Sequence, residues 1–373
     1  MKFMVERDPL LDALSWVSKS LSSRPIQTAL LGILIDVEEE LVFTASDFET
    51  TSSAHIPAEV IHKGKVLLPG RLLVEIVKAL PSKTVSIYQD GTKVFVSAGS
   101  AKFTLPTLPL QEFPNLPNKP EVVGVFTADV FTESVNQVAI AAGRDDSLLT
   151  LTGVSININN NEIIFAATDR YRLAVKNSEW EAVNDEFAAT TLIRARTLTE
   201  VSRSVSQKDK IEIGLSANTS HEKLIGFSAG GKTLISRVLD GTFPPFNHLL
   251  PKESSAFALV NRTDLLDSVR RVSLVTDKTV PLRLSFTENA LNLEAGAGDD
   301  AQASEALEII YEGEELNIAF NPQFLIDGLN AIDGDRVYIS FTGSNKPAVL
   351  SGEENGTPLE TFRYLLMPMK YAY

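Results

Sequence analysis

The stretch Leu67–Pro81 reads LLPGRLLVEIVKALP, and two later stretches repeat its pattern: Leu192–Val205, LIRARTLTEVSRSV, and Ile318–Ile332, IAFNPQFLIDGLNAI. Leu73, Leu198 and Leu325 fall at matching places, separated by 125 and 127 residues, and an acid follows each two positions later (Glu75, Glu200, Asp327). A period this long is a domain, not a solenoid unit. The 373 residues therefore read as one fold used three times.

Outward from these helices, each repeat opens with another amphipathic segment. Leu10, Leu11, Leu14 and Val17 follow Pro9; Val130, Phe131, Val135 and Val138 match them in the second repeat, and Leu265, Leu266, Val269 and Val272 in the third, with Thr263 or Asn261 as cap. Alternating strands come between, such as Val154–Ile158 turning through Asn159–Asn161 into Ile163–Ala166, and Val85–Ile87 turning at Asp90-Gly91 into Val94–Val96. Each unit reads helix, strands, helix, strands: an α+β fold with two helices covering antiparallel sheets. Prolines mark the joins. Leu105–Pro120 holds five in sixteen residues and Phe243–Pro251 three in nine, which places the domains at 1–120, 121–251 and 252–373.

Bulk properties exclude several classes. No apolar run is long enough for a bilayer, and the charged start Met1-Lys2-Phe3-Met4-Val5-Glu6-Arg7-Asp8 does not read as a signal peptide, so the cytoplasm is the expected compartment. With no cysteine and four scattered histidines, neither thiol chemistry nor a metal site is expected, and no cofactor. The net charge of −14 argues at first against nucleic acid. Distribution softens that. Over the expected helices Pro9–Arg24, Pro69–Leu80, Thr127–Arg144, Leu192–Lys210, Asn261–Lys278 and Asn321–Ile332 the charges are +1, +1, −1, +3, +1 and −1, so the helices are expected to be the basic part.

Gly226–Thr233, GFSAGGKT, satisfies the P-loop pattern, but Leu234–Leu239 is too short for the helix that must follow it. The repeat decides against it. Ser228-Ala229-Gly230 stands 131 residues after Ser97-Ala98-Gly99, where the first copy continues Ser100-Ala101-Lys102-Phe103 with no P-loop. Acidic pairs at Asp145-Asp146 and Asp299-Asp300 have no histidine partner and read as solvated turns, so no catalytic constellation is expected.

Met1–Arg7 (MKFMVER), Arg24-Pro25, Ala167–Val175 (ATDRYRLAV), Phe243-Pro244, Phe320–Leu325 (FNPQFL) and Met367-Pro368-Met369 occur in this order along the chain. In that order and length the sequence resembles the bacterial DNA polymerase III beta subunit, the sliding clamp. The resemblance implies three clamp domains per chain and a ring made as a head-to-tail homodimer. It implies a non-enzymatic processivity factor that encircles duplex DNA without base readout and tethers the replicative polymerase. The cations it would set toward the DNA are Arg24, Arg71, Lys78, Arg194, Arg196, Arg203, Lys208 and Lys210. It also implies a pocket in which the polymerase III alpha subunit, the clamp loader, other polymerases and mismatch-repair proteins dock linear motifs. Matching positions are Leu151, Thr168, Arg170, Tyr171, Arg172 and Leu173, with Pro244, Leu249, Leu365, Met367, Pro368 and Met369. Arg170 stands where many clamps have glycine, and His248 where many have arginine. Phe103 and Leu274 occupy positions of the family's ring interface. Two alternatives remain at this level: a clamp paralogue retained for resistance to a clamp-binding inhibitor, and a P-loop nucleotide-binding protein.

Overall fold

The computed structural model describes residues 1–22, 26–184, 186–217, 222–251, 253–275, 280–296 and 301–370. Two compact units emerge. One comprises Met1–Phe131, Glu181–Asp185 and Glu200–Val238; the other comprises Thr132–Trp180, Glu186–Thr199 and Leu239–Tyr373.

Among the described residues six α-helices form, five following directly on a strand and the sixth after one capping residue: α1 Arg7–Val17, α2 Gly70–Ala79, α3 Ala128–Ala139, α4 Ala195–Ser202, α5 Arg262–Val272 and α6 Pro322–Ala331. The repeated leucines Leu73, Leu198 and Leu325 are all buried, which is the physical content of the repeat. Asn261 caps α5 by accepting from the Asp264 N–H at 3.0 Å, and Asn321 caps α6 by accepting from Gln323 and Phe324, with Pro322 in the first turn. Within the first unit α1 packs on α2, and within the second α5 packs on α6.

Four expected helices are too long; the third ends at Ala139 and not at Arg144. The first ends at Val17, with a 3₁₀ turn at Ser18–Ser20, and Arg24 lies outside the described residues, as does Lys278 at the expected end of the fifth. The largest difference is at α4. Leu192–Arg194 belong to the strand Ala188–Arg194, paired with Gly153–Asn159, and Lys210 begins the strand Lys210–Leu215. Between them a serine-rich run of low helix propensity closes the helix, the Ser204 N–H and hydroxyl both donating to the Val201 carbonyl. Over the observed spans the six helices carry −1, +1, −2, 0, +1 and −1. The expected concentration of positive charge on the helices is therefore absent; the basic residues flank them.

All sheets are antiparallel. In the first unit nine strands run in the order Glu181–Ala182, Glu121–Thr127, Lys210–Leu215, Leu224–Ala229, Lys232–Arg237, Thr50–Ile56, Leu41–Ser46, Gly32–Val37 and Gly64–Pro69. Five come from the second repeat and four from the first. The second unit has the same construction: Ala188–Arg194, Gly153–Asn159, Glu162–Thr168 and Arg172–Glu179 from the second repeat join Thr357–Leu366, Ala348–Glu354, Arg336–Phe341, Ala256–Asn261 and Ile310–Glu312 from the third. A five-stranded sheet in the first unit ends on Ala101–Pro106, and a four-stranded sheet in the second ends on Ala303–Glu308.

The P-loop pattern folds as a β-hairpin. Leu224–Ala229 turns through Gly230 and Gly231, both at positive φ (55° and 77°), into Lys232–Arg237. That is the two-residue turn that right-twisted hairpins favour, and it leaves no helix N-terminus for a phosphate. Lys232 is committed elsewhere, to Asp12 at 2.9 Å.

Candidate functional site

The site grows from the turn between Glu162–Thr168 and Arg172–Glu179, in the second unit. Asp169 Oδ1 accepts from the N–H groups of Tyr171 (3.0 Å) and Arg172 (3.1 Å). Thr168 Oγ1 accepts from the Arg170 N–H (3.2 Å) and donates to the Arg172 carbonyl (2.7 Å). Short polar side chains thereby replace the missing backbone partners of a tight reversal. Arg170 sits at φ 81°, in the left-handed region, which explains physically why glycine suits this position.

Beyond the turn, Leu173 pairs across strands with Leu365. These two form a buried cluster with Ala166, Val175 and Val349, and Phe243, Phe246 and Leu250 from the proline-rich connector pack on it, half-buried. The Phe243 and Phe246 rings meet edge to face at 6.0 Å. Pro244, His248 and Leu249 are exposed on the same connector. Leu151 is buried in the 3₁₀ segment Asp146–Thr152, where its carbonyl accepts from the Gly143 N–H at 2.7 Å.

The strand Thr357–Leu366 stops before Met367, in keeping with Pro368. The Met367 N–H donates to the Tyr171 carbonyl at 2.9 Å, and the Met369 N–H donates to the Ala319 carbonyl at 2.8 Å. Proline, which has no N–H, falls between the two anchored residues. Met367 and Tyr171 remain 41% and 58% exposed, so a polarizable thioether and an aromatic ring border the buried cluster.

Arg172 is not a surface cation. Its side chain is buried and donates to Asp169 Oδ2 (2.9 Å), Asp327 Oδ2 (2.6 Å) and the Tyr364 hydroxyl (3.3 Å), with its guanidinium carbon 4.2 Å from the centre of the Phe324 ring. Burial works against the charge, but the Tyr364 hydroxyl and the two carboxylates outweigh it and raise the pKa above the ordinary arginine value. Burial likewise pushes the Tyr364 phenol up, so it stays neutral and donates to the Phe324 carbonyl at 2.9 Å. Phe243, Phe246, Leu250, Val349, Phe324 and Tyr364 are not among the site residues expected from sequence; the paired phenylalanines of FPPFNHLLP were the available signal.

Of the expected DNA-facing cations, Arg71 and Lys78 are exposed on α2 and Arg196 on α4. Arg203 and Lys208 are exposed beyond the end of α4. Arg194 and Lys210 lie on strands, 3.6 Å from Asp146 and 3.2 Å from Glu181. Phe103, 38% exposed, is on the end strand Ala101–Pro106, and Leu274, 83% exposed, is in the 3₁₀ turn Ser273–Val275. Among the described residues no cluster of acidic or histidine side chains could hold a metal ion, and no helix is long and apolar enough to cross a membrane.

Residues 1–117, 126–245 and 247–370 match, in turn, the N-terminal, central and C-terminal domains of the DNA polymerase III beta subunit. The beta sliding clamp of Streptomyces coelicolor is 42% identical, with all of both chains covered. A beta sliding clamp homolog, GriR, of Streptomyces muensis is 37% identical, again over the whole of both chains. The crystal structure of the Bacillus subtilis DNA polymerase sliding clamp superposes with a TM-score of 0.92 at 27% identity, covering both chains completely. Three domain matches in order, full-length relatives and a shared fold make this chain a member of the beta sliding clamp family, the non-catalytic processivity subunit of DNA polymerase III.

Proposed function

We propose that two copies of this chain close head to tail into a ring around duplex DNA, and that the Leu173–Leu365 site tethers polymerases and other clamp-binding proteins to it. The three domains are read at 1–120, 121–251 and 252–373. One observation carries the ring. Each nine-stranded sheet joins five strands of one repeat to four of another, while the first repeat leaves a sheet of five and the third a sheet of four. Joining Ala101–Pro106 of one copy to Ala303–Glu308 of the other completes the same nine-stranded sheet at both joints. Neither end strand has a partner on its outer edge among the described residues, and unpaired edges are templates for association. Register supports the match: Lys102 pairs with Ser97 as Thr233 pairs with Ser228, so Phe103 stands where Leu234 stands. Leu234, within a complete sheet, is 1% exposed.

A closed ring retains DNA by topology, so its lumen requires only modest positive potential and contacts to phosphates through water and counterions. Arg71, Lys78, Arg196, Arg203 and Lys208 are the cations we assign to it, with Arg194 and Lys210 already half-neutralised by carboxylates. Arg24 belongs to the same assignment but lies outside the described residues. The docking site supplies exchangeable attachment. A peptide's apolar anchors gain roughly 1.5–3 kcal/mol each on full burial, before ordering costs. Thr168, Arg170, Tyr171, Pro244, Leu249, Met367, Pro368 and Met369 border that site, Leu173 and Leu365 floor it, and Arg172 and Leu151 support it from beneath. Such a device works where the bacterial chromosome lies, in the cytoplasm. The test is loading onto nicked circular DNA by a clamp loader, followed by linearisation. The protein should be retained on the circle and lost from the linear product; equal retention on both would refute encirclement.

A further inference from the structure

The docking turn occurs twice in the chain. Ala45-Ser46-Asp47-Phe48-Glu49-Thr50 of the first repeat and Ala167-Thr168-Asp169-Arg170-Tyr171-Arg172 of the second share the same side-chain bonds to the turn N–H groups. Asp47 Oδ1 accepts from the Glu49 N–H (3.1 Å) and the Thr50 N–H (2.7 Å), as Asp169 does from Tyr171 and Arg172. Ser46 Oγ accepts from the Phe48 N–H at 3.4 Å, and Phe48, like Arg170, has positive φ (72°). Even the outgoing bond is kept: the Arg237 N–H donates to the Glu49 carbonyl at 2.9 Å, where Met367 donates to Tyr171.

The first copy closes with Thr50 where the second has Arg172. An arginine is therefore not needed to build this turn or to anchor the strand end beside it. What Arg172 adds is a connection to α6. Gln323 Nε2 donates to Asp327 Oδ1 at 2.8 Å and leaves Oδ2 for the guanidinium. Tyr364 fits against α6 because residue 328 is glycine: a Cβ there would lie 2.3 Å from the Tyr364 ring. The Phe324 ring, held under Arg172, lies 6.5 Å from the Tyr171 ring at 30°.

We infer that Asp327 and Tyr364 are positioning residues of the docking site: by holding Arg172 against the Phe324 ring they fix the Phe324 and Tyr171 side chains before a peptide arrives. The inference rests on the docking reading above. Without the brace, Tyr171, Phe324 and Arg172 are ordered only on binding, and the lost preorganisation weakens affinity about tenfold to hundredfold, chiefly through faster dissociation.

The probe is a short fluorescein-labelled peptide with leucine and phenylalanine anchors, followed by polarisation and stopped-flow dissociation on the full chain. Asp327→Asn and Tyr364→Phe should each weaken binding by about tenfold or more, with the dimer mass unchanged. Arg172→Thr combined with Asp327→Asn copies the first repeat's turn and removes the buried guanidinium together with its half-buried carboxylate on α6. It should fold yet remain as weak as Asp327→Asn alone. Recovery of wild-type affinity in that double variant would show that only the loss of one of the buried guanidinium's two carboxylates had mattered, and would overturn the inference. So would wild-type affinity in Tyr364→Phe, the milder change. Wild-type binding that Leu173→Asp abolishes and Asp327→Asn leaves untouched defeats the positioning role alone, whereas a wild-type chain that binds no probe defeats the docking reading together with it.

Discussion

Truncating Phe103 to alanine should break the ring, and its effect can be worked from exposure. A phenylalanine side chain buries about 150–250 Å² when fully covered, so the 38% left exposed on Ala101–Pro106 is about 75 Å². At about 25 cal/mol per Å² this is about 2 kcal/mol for each joint. A head-to-tail pair has two identical joints, so Phe103→Ala should weaken dimerisation by about 4 kcal/mol, or about a thousandfold in Kd. Sedimentation velocity or mass photometry over a dilution series reads this directly, against a chain mass of 40.7 kDa. The substituted chain should remain folded, because the exposed face of an end strand contributes little to its own unit. A wild-type chain that stays monomeric at micromolar concentration would refute the edge-joining argument. So would a Phe103→Ala dimer that dissociates at the wild-type concentration.

Two shorter predictions follow from the backbone and from the hairpin that imitates a P-loop. Arg170→Gly should stabilise its unit: relief of a left-handed residue is worth about 1–2 kcal/mol, and glycine's extra unfolded freedom returns about 0.5–1. The lost charge matters little, since the nearby Asp145 carboxyl is held below its ordinary value chiefly by Ser147, with Arg170 the smallest contributor. Calorimetry should show a rise of about 1–3 °C, and a fall would contradict the φ assignment. Lys232→Ala should cost up to about 1 kcal/mol through the lost Asp12 pair, and neither wild type nor variant should show an ATP-dependent melting shift. A shift in the wild type that the variant loses would restore the nucleotide-binding reading.

The repeat was legible because buried leucines at helical spacing and paired hairpins are local signals, and Leu73, Leu198 and Leu325 are buried as their equivalence requires. The extent of α4 was not legible. Leu192-Ile193-Arg194 continues a helical pattern as well as a strand, and pairing with Val154 and Ser155 decides between them. The basic-helix reading failed with it, since its charge came from residues outside the true helix, Arg194 before it and Arg203, Lys208 and Lys210 after it. Arg172 was found by its motif, but its burial depends on Asp327, 155 residues away, which no window of sequence contains. The duplicated turn was open to view in Ala45-Ser46-Asp47 and Ala167-Thr168-Asp169, three residues too short to stand out without their hydrogen bonds.

In both nine-stranded sheets the strand synthesised last, Lys232–Arg237 or Thr357–Leu366, occupies the fifth and central place. Until it inserts, its two neighbours face each other as open edges, and the loops to be closed span more than a whole repeat. Contacts so distant in sequence make for slow folding, and exposed edges in the interval invite aggregation. Assembly of each unit thus ends with a keystone: a nascent chain has neither a finished sheet nor the floor of the proposed peptide groove until that final ribbon has left the ribosome.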